Sequence, residues 1–206
     1  MKNTHIFDLP EASGNSLLSC RLALDLVNHD GPVSSPFQMN EHGEQGSIFL
    51  TDTHNPFQDT VDRLNLVDAD RQRLSWIQIV PLRGEVARNR ERGINSLADA
   101  LEFLLANEPD VSQAKGIVVD ALTPGRCPVD VDWERFLELV GNRPCLAIGP
   151  ATANFNCEWQ HKFSRSDGGL NEFRISSTSA DGLASEFTAK LSYPHWEFAQ
   201  ATTSCL

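Results

Sequence analysis

Between Leu74 and Ile148 the chain alternates short apolar runs with amphipathic stretches, and this rhythm constrains the fold more than any other feature. Trp76, Ile77, Ile79, Val80 and Leu82 form an apolar run closed by Gly84, which reads as a buried strand. Arg83 to Gly93 is polar and reads as a loop. Asn95-Ser96 then caps a helix in which Leu97, Ala98, Ala100, Leu101, Leu104 and Leu105 recur at helical spacing, with Asp99 and Glu102 in the first turns. Asn107 to Asp110 ends it. Lys115 to Leu122 (KGIVVDAL) is a second buried strand, and Thr123-Pro124-Gly125 turns the chain. Trp133, Phe136, Leu137 and Val140 share one face of a second helix, which Asn142-Arg143-Pro144 breaks before a third strand, Cys145 to Ile148. Strand, helix, strand, helix, strand implies an α/β fold: a parallel-leaning sheet with right-handed crossovers.

The flanks are less regular. Residues 1–70 hold three basic residues against eleven acidic ones, so most of the net charge of −11 sits there. They read as an acidic N-terminal extension packed on, or leading into, a core of residues 71–206. Within the extension, the alternation Leu22, Leu24, Leu26 favours a strand over a short helix for Leu17 to Val27. Asn28 to Ser47 is a Gly- and Pro-punctuated loop, Ser47 to Leu50 a short strand, and Thr60 to Leu74 a helix or an irregular arm. Beyond Gly149, Phe155 to Phe163 and Leu183 to Leu191 read as helices and Asn171 to Ser176 as a strand. Trp196 and Phe198 in the tail dock either on the chain itself or on a partner.

With this acidity and no basic footprint, nucleic-acid binding is not expected. The densest basic run, Arg83 to Arg92, is either a solvated segment or a clamp for an anionic group such as phosphate. Five cysteines without a C-x-x-C pair fit free thiols in a reducing compartment. The N-terminus lacks the apolar segment of a secretory signal, and no apolar run approaches the roughly 18 residues of a membrane span. A cytoplasmic location is expected.

Residues 74–160 resemble the core of the ClpP/crotonase superfamily, through an Asn95-started helix, the strand KGIVVDAL, a loop through Cys127 and Asp130, an aromatic helix, Arg143-Pro144 to Ala147, and a turn into Cys157-Glu158. The resemblance implies a ββα spiral core and an acyl thioester substrate, bound to coenzyme A or to the phosphopantetheine of a carrier protein, with no further cofactor. It implies isomerisation, dehydration or decarboxylation through an enolate held in an oxyanion hole. By position it makes Glu158 the acid/base, gives the backbone N–H groups of Val129 and Phe155 to the oxyanion hole, and puts Arg83 or Arg88 near the CoA phosphates. It also implies a homotrimer or a hetero-complex. The sequence departs from the family at several points: Pro128 has no N–H to donate, Phe155 crowds the second hole, and no acid stands near Thr178 where hydratases carry a second Glu.

Two other classes compete. A ClpP-like peptidase needs a serine where Thr152 stands, with a base such as His161; an inactive relative would serve as an interaction protein or scaffold. His42 with Glu41 and Glu44 matches no compact metal-ligand set, so no metal site is assigned. Asp130 and Asp132 read as caps of the helix at Trp133, and Cys127 and Cys157 as either nucleophiles or small buried thiols.

Overall fold

The structure, a computed structural model, describes residues 4–10, 14–27, 48–52, 57–67, 74–80, 82–120, 132–149, 157–166 and 169–200. Among them nine strands form one sheet in the order β3-β2-β4-β5-β1-β6-β7-β8-β9. Here β1 is Thr4–Asp8, β2 Ile48–Asp52, β3 Ile77–Val80, β4 Gly116–Asp120, β5 Cys145–Ile148, β6 Trp159–Arg165, β7 Glu172–Ser179, β8 Ala184–Ser192 and β9 His195–Gln200. From β3 across to β6 every neighbour pairs in parallel. From β6 to β9 the pairing is antiparallel, a simple meander.

Helices cover both faces of the parallel half. On one face α1 (Asn15–Val27) and α2 (Phe57–Val67) pack against Phe7, Ile77, Val118, Leu146 and Ile148. On the other, α3 (Leu82–Asn89), α4 (Leu97–Asn107), the single turn α5 (Pro109–Ser112) and α6 (Trp133–Val140) pack against Ile6, Ile117, Val119, Cys145 and Ala147. Alternate residues of one strand thus feed two cores, as a parallel sheet buried on both sides requires. Crossovers leading one way across the sheet use one face and those leading back use the other, which is what right-handed connections demand.

The α/β class and the parallel-leaning sheet are therefore present. In the parallel half the repeated unit among the described residues is one strand and its crossover, and no repeat of two strands and a helix is seen among them. The acidic N-terminal part adds two strands to this sheet: β1 lies between β5 and β6 and β2 between β3 and β4.

Four local expectations change. Leu17 to Val27 is helical, because α1 is wedged between the sheet and α2; Leu17, Leu18, Ser19, Cys20, Leu22, Ala23 and Leu24 are all buried, so no polar stripe reveals a helical period. Arg83 to Gly93 is not a loop: Leu82 and Val86 are spaced to bury one side of α3, and a 3₁₀ turn, Arg90–Arg92, follows. Phe155 to Phe163 is not a helix in its described part, since β6 turns Trp159, His161 and Phe163 inward and Gln160, Lys162 and Ser164 outward. Leu183 to Leu191 is not a helix, since β8 buries Phe187 and Ala189 and exposes Glu186, Thr188 and Lys190. Trp196 is 2% exposed and meets Phe163 and Phe173 edge-on or tilted, with Phe198 stacked beside it, so this end of the chain packs on its own sheet.

Candidate functional site

In a doubly wound sheet the crevice for a ligand opens where successive crossovers leave in opposite directions, outside the carboxyl ends of the strands. Here that place is between β2 and β4. The chain leaves β2 outward to β3, and leaves β4 inward to β5. The two strands are paired to their last residues, Asp52 opposite Asp120. Asp120 is 1% exposed. Beside β2, the edge strand β3 leads into α3, whose first turn carries the exposed Arg83. The amino end of α3 adds the partial positive charge of its open N–H groups at the same edge.

The residues implied by the thioester resemblance do not gather at one place. Arg83 stands at this carboxyl edge. Arg88, in the last turn of α3, is held by its own helix: Nη2 donates to Glu85 Oε1 at 2.5 Å and Nε to the Gly84 carbonyl at 3.2 Å. Glu158 precedes β6 and so lies at the opposite, amino edge, where its N–H donates to the Thr4 carbonyl at 3.0 Å and its carbonyl accepts from the Ala180 N–H at 2.8 Å. Val129 belongs to the segment after β4 and Phe155 to the segment after β5; both lie outside the described residues, as do Thr152, Cys127, Pro128, Asp130, Glu41, His42 and Glu44.

Arg143-Pro144, the best short match of the resemblance, has a local role. The Arg143 guanidinium donates from Nε to the Val140 carbonyl at 2.9 Å and from Nη2 to the Leu139 carbonyl at 3.0 Å, closing the carboxyl end of α6. The Pro144 carbonyl then accepts the Ile117 N–H at 2.9 Å and seats β5 beside β4. Asp132 takes the N-cap of α6 with φ +47°, and its carbonyl accepts the Phe136 N–H. On α6, Arg135 ties back to α4 through Asp99, at 2.6 Å, and Glu102. The Asp99 carboxyl is held below its usual range chiefly by the Asn95 N–H.

The thiols are quiet. Cys20 and Cys145 are buried, and burial pushes the Cys145 thiol up to about 12. Cys157 is half-buried and shifted up by the same cause. No group of three His, Cys, Asp or Glu side chains converges as a metal site among the described residues, and none of their helices is long and apolar enough to cross a membrane.

One constellation escapes the sequence reading. His161 is neither on the surface nor isolated: it is hydrogen-bonded to His5 of β1 and Ser177 of β7, all three at most 2% exposed. A buried serine and histidine in this arrangement are closed to substrate. The signal for them is inward position: His5 alternates with Phe7, His161 with Phe163, and Ser177 with Ile175.

No protein-family model matches this sequence, and no curated protein is significantly similar to it.

Proposed function

We propose that the chain is a small-molecule-binding domain that takes a phosphate-bearing ligand, such as an acyl group carried on coenzyme A or phosphopantetheine, at the carboxyl edge of its parallel sheet. The observation that carries this reading is the reversal of strand order between β2 and β4. Arg83 supports it, since an exposed guanidinium at that edge matches phosphate geometry. Asp52 and Asp120 set a condition. Both are acidic positions in the sequence at this edge, so a divalent cation is expected to accompany the phosphate. Glu158 stands at the far edge, so proton transfer by Glu158 has no part in this reading.

A thermal-unfolding series tests it. The purified chain is melted with CoA, short acyl-CoAs and an acylated carrier protein, each with and without Mg²⁺. At a hundredfold excess over the dissociation constant a ligand adds about 2.7 kcal/mol, which raises the midpoint by roughly 5–10 °C in a chain of this size. The shift is expected only with Mg²⁺ and is expected to vanish in Arg83→Gln. A panel without any shift rejects the reading.

A second reading, docking of a protein partner, is favoured by the outer face of the meander. There Lys162, Arg174 and Lys190 stand exposed among acidic Glu186 and Glu197, around an open depression of about 450 Å³ lined by Ser166, Glu172, Arg174, Thr188 and Lys190. A capture experiment in which Arg174→Glu/Lys190→Glu loses a partner supports that reading; unchanged capture removes it.

A further inference from the structure

Four exposed arginines follow one another along α3 and the turn after it: Arg83, Arg88, Arg90 and Arg92. Two acids share the stretch, Glu85 and Glu91, and Glu85 is taken by Arg88 at 2.5 Å. Among the described residues Arg83, Arg90 and Arg92 make no ion pair. On the neighbouring helix α4, Asp99 and Glu102 are tied to Arg135 of α6 instead. Residues seven apart in a helix share a side and lie about 10 Å apart along its axis. Arg83 and Arg90 have that spacing, with the small, exposed Ala87 between them. The strip therefore starts at the crevice edge with Arg83 and continues along the outside of α3. Just past its far end, a Cβ on Gly93 would meet nothing within 4 Å, so that end lies open.

A convex helix face does not enclose a small molecule, which is held in a concavity that buries most of its surface. It suits the surface of another protein. Charge decides which kind. The whole chain carries −11, so an acidic partner is repelled over most of the molecule and attracted at this strip, which fixes where it lands. The same net charge works against a nucleic acid, whose dense phosphates need a broad basic footprint.

We propose that the arginine strip of α3 docks an acidic carrier protein, so that the carrier's phosphopantetheine arm enters the crevice beside Arg83. The docking rests on the phosphate-ligand crevice proposed above and narrows it: the arm arrives on a protein rather than as free coenzyme A. Arg83 stays with the phosphate. Arg90 and Arg92 pair with carboxylates of the carrier, since a guanidinium fork matches a carboxylate at two points.

Calorimetric titration of the full chain in the presence of Mg²⁺ tests this. It compares a short acyl-CoA with an acidic carrier protein that bears the same acyl group on its phosphopantetheine arm. The carrier is expected to bind about tenfold more tightly at low salt, and to lose most of that advantage at about 0.5 M salt. Arg90→Glu/Arg92→Glu is expected to weaken the carrier by about tenfold and to leave the acyl-CoA unchanged, which also shows that the variant is folded. Arg90→Gln/Arg92→Gln is expected to fall between. Acyl-CoA binding with no preference for the carrier overturns the docking strip and leaves the crevice standing. Equal weakening of both ligands by the charge reversal also overturns it, because the arginines then hold the nucleotide. Binding of neither ligand removes the crevice and the strip together.

Discussion

Gly14→Ala probes how the start of α1 is fitted onto the meander. Gly14 has φ +78°, and its carbonyl accepts the N–H groups of Leu17 and Leu18 to start the helix. A Cβ there would lie 2.8 Å from Leu191 Cδ2 and 3.5 Å from Trp196 Cζ2. The left-handed backbone costs a residue with a side chain about 1–2 kcal/mol. Overpacking adds about 1–3 kcal/mol, toward the low end because a leucine methyl can turn away. Loss of unfolded-chain entropy returns about 0.4–1 kcal/mol. The net expectation is a loss of roughly 2 kcal/mol, read as a urea midpoint lower by about 1 M at an unchanged slope. Gly93→Ala is the control: its φ is +82° and nothing lies within 4 Å of the added methyl, so only the backbone contribution remains. Adding Leu191→Ala to Gly14→Ala is expected to recover part of the loss, a non-additive result for sites in contact. If Gly14→Ala loses no more than Gly93→Ala, the close approach to Leu191 and Trp196 is not what makes Gly14 necessary.

Ser96→Ala removes the hydroxyl that accepts the Asp99 N–H at 3.0 Å, one half of the capping box of α4, and is expected to lower stability by about 1 kcal/mol in chemical denaturation. Leu146→Ala empties a fully buried site on β5 and is expected to cost about 2–5 kcal/mol; a loss under 1 kcal/mol would contradict its place in the core. Of the described thiols, Cys20 and Cys145 are expected to resist a thiol reagent at pH 8 until the protein is unfolded, with Cys157 reacting first; rapid native-state labelling of Cys145 would contradict its burial.

The legible part of the fold is the part whose two faces differ. α4 and α6 show clear apolar stripes, and β4 and β5 are apolar runs bounded by turn residues, so their type follows from pattern alone. α1 is buried nearly all round, which erases the period and leaves a chance alternation at Leu22, Leu24 and Leu26. β6 conceals its alternation by placing a polar residue, His161, at an inward position. β8 is rich in Ala, Leu, Glu and Lys, which favour helices, yet its neighbours β7 and β9 hold it extended. β1 is five residues long and gains its position only from β5 and β6, more than a hundred residues away. The site follows the same logic. Asp120 is visible as the end of an apolar run, but its partnership with Asp52 depends on strand order. The His5–His161 contact joins residues 156 apart, and no local pattern announces it. The resemblance around Arg143-Pro144 rests on a helix stop and a strand start, features that unrelated α/β folds also need.

The most direct test of a ligand crevice at the carboxyl edge is an amide NMR titration of the chain with CoA in the presence of Mg²⁺. Saturable shifts are expected at Leu82 to Glu85, Asp52 and Asp120, with the amino edge around Cys157 and Glu158 and the outer face of β7 to β9 unchanged. Shifts centred on Glu158 or on the meander, or no shift with any phosphate-bearing ligand, would contradict it.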